Sequence, residues 1–217
     1  MSTAVVIGVG PGIGTAVARR FAREGFSLGL VARRAETVSD AAAAVADTGV
    51  PVVTATADVA DEDALHAALD TLTGALGTPD VVVYNAALVR PDAVGELSLR
   101  EHRDAWAVNV GGALVAAARL APGMTQRGGG SFLITSGMPQ VKPEYVSLSL
   151  GKAGVRALVA LLDATYGPSG VHAAAVTVDG PVAPGTAFDP DVIAAHYWDL
   201  HTQARAEWTH DVLHTGA

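Results

Sequence analysis

The run Ala4-Val5-Val6-Ile7-Gly8-Val9-Gly10-Pro11-Gly12-Ile13-Gly14 decides the fold. Its first four residues are apolar and mostly β-branched, the composition of a short buried strand. Glycines follow at once, and residues 12–24 carry a helical pattern. Glycines in such a turn permit positive φ and let a ligand approach the backbone closely. The helix behind them offers N–H groups without intrahelical partners, which suits a phosphate-type anion. A fingerprint with glycines at the first, third and sixth positions fails here, because the sixth position is Ile13. The glycines that stand out instead are Gly8, Gly12 and Gly14. A tight strand-to-helix turn with no ligand is the other reading of the same residues.

Working outward, short apolar runs at 27–32, 50–56, 81–84, 131–135 and 171–178 join 4–7 as predicted strands. Helical patterns cover 12–24, 35–46, 62–76, 99–121 and 147–166. Alternation of this kind, with crossovers of this length, predicts an α/β protein: a three-layer, Rossmann-type, doubly wound parallel sheet in a single domain, 1–217. Gly128-Gly129-Gly130 reads as a turn into a strand and not as a domain boundary. Residues 187–210 leave the alternation, with Ile193, Tyr197, Trp198 and Leu200 in an amphipathic pattern. Three readings stay open for them: a substrate lid, a subunit contact, or a helix laid against the core.

Bulk properties narrow the function. The 217 residues carry a formal charge of −8, which argues against a nucleic-acid partner or an anionic membrane surface. With no cysteine, thiolate catalysis, disulfides and Cys-ligated metals are excluded, and a cytoplasmic, reducing setting is expected. The chain enters its first strand without a basic, signal-like region, and no apolar run of membrane-spanning length is expected. The seven histidines show no metal-ligand spacing, so no metal is expected. Thr135-Ser136-Gly137 lacks the glycine pattern of a hydrolase nucleophile elbow.

Further motifs follow the glycine loop in order: Asp58-Val59 after the third strand, Asn85-Ala86-Ala87 after the fourth, Asn109 in a helix, Lys152 in the next, and Gly180-Pro181-Val182 after the sixth strand. Together with the spacing of Gly8, Gly12 and Gly14, this set resembles the short-chain dehydrogenase/reductase family over nearly the whole chain. The resemblance implies that Gly8, Gly12, Ile13 and Gly14 cradle a nicotinamide dinucleotide, that Asp58 and Val59 meet adenine, and that Gly180, Pro181 and Val182 hold the nicotinamide. Asn85, Ala86 and Ala87 match the family's Asn-Ala-Gly turn, with Ala87 replacing glycine. Ile7 stands where the family usually has threonine. Pairing through the long helices, as a homodimer or homotetramer, is also implied. Taken singly, Asp58 is equally readable as a turn residue and Asn109 as a satisfied helix amide.

The second strand ends in Val31-Ala32-Arg33-Arg34, beside the adenosine ribose in such a fold. An acidic residue there would favour NAD(H), whereas guanidinium groups favour a 2′-phosphate. Arg33 and Arg34 therefore point to NADP(H), with NAD(H) second. Solvated surface charges near Glu36 and Asp40 are the other reading.

The family's proton chemistry uses a tyrosine four residues before a lysine. Lys152 matches the lysine, but Leu148 occupies the tyrosine position and cannot exchange a proton. Tyr145 precedes Lys152 by seven residues, a spacing that resembles the divergent enoyl-reductase type and returns to nearly the same helical face. It reads either as the replacement phenol or as an aromatic packing at the start of a helix. Thr135 and Ser136 are the candidate hydroxyl donors to substrate, and Asn109 completes the set. The reading is an NADP(H)-dependent oxidoreductase acting on a small, mostly apolar carbonyl or enone. The alternatives are a nucleotide-binding scaffold or sensor without redox activity, and a non-redox enzyme reusing the pocket.

Overall fold

The computed structural model describes residues 2–216. Seven strands form one parallel sheet in the order β3-β2-β1-β4-β5-β6-β7. They are β1 Thr3–Ile7, β2 Ser27–Ala32, β3 Val52–Thr56, β4 Val81–Tyr84, β5 Gly130–Gly137, β6 Val171–Val178 and β7 Asp211–His214. The helices are α1 Ile13–Arg23, α2 Ala35–Ala43, α3 Glu62–Leu76, α4 Leu99–Trp106, α5 Gly112–Gln126, α6 Val146–Tyr166 and α7 Pro190–Thr202. A π-helical stretch, Ala107–Gly111, joins α4 to α5.

Side-chain alternation along each strand separates two cores. Ala4 and Val6 of β1 face a layer with Phe21 of α1 and Tyr197 of α7. Val5 and Ile7 face the opposite layer, with Leu69 of α3, Ala117 of α5 and Val155 of α6. The three-layer, doubly wound arrangement is thus the one its strand–helix alternation predicts. The strand order reverses between β1 and β4, and the ends of those strands open the crevice where such sheets take up ligands.

Differences from the sequence pattern have local causes. β7 has only Val212 and Leu213 as apolar residues, too few to register as a run, yet it pairs in parallel with β6 from Ala175↔Asp211 to Val178↔His214. The predicted helix 99–121 is interrupted by the π stretch and then runs past Pro122 to Gln126. Counted through that stretch, 99–126 has the length and composition to cross a membrane, contrary to expectation, although half of its most apolar window is buried within the fold. Within 187–210, α7 buries Ile193, Ala194, Tyr197 and Leu200 and packs against α1. Its apolar side therefore belongs to the core, the third of the readings open for that segment.

Candidate active site

Two cavities lie side by side at the strand-order switch and share Asn85 and Ala87 as a common wall. The first, of about 370 Å³, is bounded by the glycine loop at Gly8–Gly10, the end of β2 through Arg33 and Arg34, and Asp58 and Val59. The second, of about 500 Å³, is bounded by Thr135, Ser136, Tyr145, Leu148 and Lys152, and by Gly180, Pro181 and Val182.

The glycines divide into two kinds. Gly8 has φ +92°, and a Cβ there would lie 2.4 Å from the Ala86 nitrogen. At Gly14 a Cβ would lie 2.6 Å from the Gly8 carbonyl oxygen. Those two positions are demanded by the chain's own packing. Gly12 is not: its nearest contact would be Val182 at 3.9 Å, and a Cβ at Gly10 would meet nothing within 4 Å. Open space therefore lies over the start of α1, beside Gly12 and Ile13, where the first-turn N–H groups point. A pyrophosphate fits there, in a cradle that side chains at Gly10 and Gly12 would begin to fill.

Arg33 and Arg34 are exposed on the rim of the first cavity, and among the described residues neither forms an ion pair. Asp58 is exposed as well and accepts the Ala60 N–H at 3.1 Å, so one of its oxygens serves a local turn. Ile7 is fully buried in the second core layer and offers no polar contact to the loop.

A buried hydrogen-bond chain ties α7 to the glycine loop. The Asn85 amide donates to the Gly8 carbonyl at 2.9 Å and accepts from Thr135 Oγ1 at 2.8 Å. Thr135 Oγ1 also lies 2.6 Å from the Tyr197 hydroxyl. The threonine has one proton, and giving it to Asn85 requires Tyr197 to donate to Thr135. Burial pushes the Tyr197 phenol up, so it keeps the proton this direction needs. Strand alternation sends the next residue, Ser136, to the α6 side. Its Oγ is buried and has no hydrogen-bond partner among the described residues, and Ser136 is one of the residues bordering the second cavity.

Lys152 of α6 is buried, and its ammonium donates to the Thr135 carbonyl at 2.8 Å. Desolvation lowers its pKa to about 8. Leu148, one turn earlier, is buried in the same wall where a phenol would otherwise stand. Tyr145 borders this cavity too, but it is the N-cap of α6 and not a residue of its first turn, with φ −143° and ψ 57°. Its hydroxyl makes no hydrogen bond among the described residues.

Asn109 is buried on the π stretch and clasps Leu88 from both sides: Oδ1 accepts the Leu88 N–H at 2.8 Å, and Nδ2 donates to the Leu88 carbonyl at 3.3 Å. Its amide lies outside the walls of both cavities and holds the segment that follows Asn85. Within the π stretch the Val108 carbonyl accepts from the Tyr84 hydroxyl at 2.6 Å. Burial, with Asp58 adding, raises the Tyr84 pKa and keeps it a donor.

Three contributors carry no motif. Asp92 is buried, accepts from the Ser147 N–H at 2.9 Å and from Ser147 Oγ at 2.8 Å, and so caps α6 from a distant loop. Its backbone pairs beside Tyr145, fixing where that residue stands. Lys142 and the hydrogen bond of Tyr197 are likewise visible only once the chain is folded. Alternation along α7 identified Tyr197 as apolar-face, but not its hydrogen bond. The histidines are engaged elsewhere: His172 with the Leu200 and Thr209 carbonyls, His201 with Ser131, and His196 with His214.

Comparison with known proteins agrees with this architecture. Residues 2–187 match the short chain dehydrogenase family. Cis-4-hydroxycyclohexanecarboxylate dehydrogenase of Sinomonas cyclohexanicum is 30% identical, over 94% of this chain and 84% of that protein. Glucose 1-dehydrogenase 2 of Bacillus subtilis is 31% identical, over 85% of this chain and 71% of its own. Among solved structures, an alcohol dehydrogenase from Thermococcus sibiricus complexed with 5-hydroxy-NADP superposes with a TM-score of 0.88 at 24% identity, covering 98% of this chain and 96% of that one. By its family match, its relatives and its sheet, the chain belongs to the short-chain dehydrogenase/reductases and is an oxidoreductase of that family.

Proposed function

We propose that this protein is an NADP(H)-dependent oxidoreductase that reduces a small, mostly apolar carbonyl or enone. The observation that carries the proposal is the pairing of the two cavities: one has arginines on its rim, and the other gathers Lys152, Ser136 and Tyr145 in a largely apolar wall. When bound, the nicotinamide would donate a hydride to the substrate carbon. The balance is a carbonyl, NADPH and a proton giving an alcohol and NADP⁺.

In this reading Arg33 supplies a charged fork for the 2′-phosphate, with Arg34 beside it. The Thermococcus sibiricus relative in fold, solved with 5-hydroxy-NADP, supports the same preference. Asp58 and Val59 flank adenine. Asn85, Ala86 and Ala87 separate the two halves of the crevice. Lys152 holds the nicotinamide ribose and a positive charge beside the reacting oxygen. Ser136, with its unpartnered hydroxyl, donates to that oxygen, because the Thr135 hydroxyl is engaged with Asn85 and Tyr197. Tyr145 delivers the proton, and Asn109 shapes the site through Leu88. A cytoplasmic setting and a homodimer or homotetramer belong to the same proposal. Trp106, Leu114, Leu150 and Leu161 are exposed on the long helices and available for subunit packing.

Leu148 favours one rival, a nucleotide-binding scaffold without turnover. NADPH consumption measured over a panel of small ketones, aldehydes and enones decides between them. Consumption with a stoichiometric alcohol or saturated product supports the oxidoreductase. Tight NADPH binding with no consumption across the panel supports the scaffold.

A further inference from the structure

The cavity that contains Lys152 and Ser136 has a second lysine to which the reduction itself assigns no task. Lys142 stands in the loop ahead of α6 and contributes to the same wall as Tyr145 and Leu148. Its backbone is fixed on both sides. Its N–H donates to Ser149 Oγ at 3.1 Å, and its carbonyl accepts the Tyr145 N–H at 3.0 Å. Ser149 and Tyr145 lie at the start of α6, so the lysine is tied to the helix that carries Lys152.

The Lys142 ammonium, by contrast, makes no hydrogen bond or ion pair among the described residues. Some other cations on this chain are paired, Arg19 with Asp191, Arg119 with Asp70 and Arg127 with Asp80, whereas Arg33 and Arg34, on the rim of the first cavity, are not. Asp179 is the carboxylate in the same cavity wall, and it forms no ion pair with Lys142 or Lys152. Much of the remaining wall is apolar, with Val89, Met138, Leu148 and Val182. Lys142 is a half-buried residue in these surroundings, and its ammonium has no protein counter-ion. The ligand chemistry that completes it is an anion. Ser136, which borders the same cavity, has a buried hydroxyl that is a second polar group without a partner among the described residues, and a carbonyl oxygen would supply one.

We propose that the substrate is an oxo acid: its carbonyl is held at Ser136, and a carboxylate elsewhere on its small apolar frame is held by the Lys142 ammonium. This deepens the oxidoreductase reading and rests on it for the reaction. The carbonyl carbon gains the hydride from NADPH, its oxygen gains the proton, and the carboxylate is unchanged. The net charge of −8 gives the molecule as a whole no attraction for anions, so recognition falls to this local charge.

The test separates binding from turnover by using benzoate and its neutral counterpart benzamide, titrated calorimetrically into the protein with saturating NADP⁺. Benzoate should bind about tenfold tighter than benzamide, the worth of a charged hydrogen bond. That preference should be lost in Lys142→Gln and kept in Lys142→Arg, with circular dichroism checking that both variants are folded. Equal affinity for the two probes, no binding of either, or a preference that survives in Lys142→Gln would overturn the proposal. Turnover is read separately, with oxo acids and their amides. A Lys142-dependent benzoate preference with no NADPH consumption leaves the anion site standing and removes the redox reading. Equal reduction of acids and amides leaves the redox reading standing and removes the anion site.

Discussion

The first cavity is walled largely by backbone turns, with two arginines on its rim. The second is walled by side chains arriving from β5, α6, the loop before α6 and the turn after β6. The same sheet supports both, yet they differ in what a substitution does. In the first, Gly8 and Gly14 are held by contacts of the chain with itself, so its shape persists when nearby surface residues vary. In the second, under the proposed function, one residue type decides whether a proton can be moved. Leu148 is the case in point: it is buried in that wall, at the position of the family's phenol, and cannot exchange a proton. In the proposed function, a ligand-holding half and a chemistry-bearing half could therefore diverge independently on one scaffold.

Breaking the second half should have the largest effect. Lys152→Met should lower NADPH-dependent turnover by about a thousandfold, within the range for removing a charge that stabilises the reacting oxygen. The wild-type pH profile sharpens this prediction. Lys152 is protonated below about 8, so carbonyl reduction should be level at lower pH and decline as pH rises through that value. A profile with no limb near 8 would detach Lys152 from the chemistry. Tyr145→Phe comes next, with a loss of about a hundredfold in kcat. Unchanged turnover would sink its assigned role. Adding Leu148→Tyr to that variant should recover activity, since it returns a phenol one turn before Lys152.

The first half should respond in binding alone. Arg33→Ala should weaken NADPH about tenfold, the worth of a charged hydrogen bond to phosphate, and leave NADH nearly unchanged. Equal losses for both nucleotides, measured by fluorescence titration, would refute the phosphate contact. The smallest effect belongs to the link between the halves. Tyr197→Phe removes the donor to Thr135 and should cost about 1 kcal/mol in urea unfolding, with a few-fold weaker NADPH binding. Unaltered nucleotide affinity alongside the stability loss would confine Tyr197 to the core.

Legibility from sequence follows the same division. The glycine loop, the end of β2 and the turns after β4 and β6 are local events, in which a few neighbouring residues dictate the backbone, so their motifs could be read directly. Lys152 and Leu148 were legible by spacing along one helix. Asp92 was not, because its carboxylate caps a helix 55 residues away in sequence. Tyr197 lies 62 residues from the threonine it meets, and its apolar neighbours mask the polar use of its hydroxyl. Spacing also placed Tyr145 two helical turns before Lys152, whereas the helix begins one residue after it and Asp92 sets its position. β7 escaped because pairing with β6, and not its own composition, makes it a strand.

The π stretch at Ala107–Gly111 carries a consequence for how this chain can change in length. A π turn holds one residue more than the regular helix it interrupts, so α4 and α5 are out of phase by roughly 100° of rotation. Deleting a single residue there would restore the regular ladder and move the Val108 carbonyl relative to Tyr84. It would also swing α4 by about a quarter turn relative to α6. The segment is thus a frame setter: substitutions within it alter one contact each, whereas a one-residue deletion re-indexes every residue upstream to Leu99.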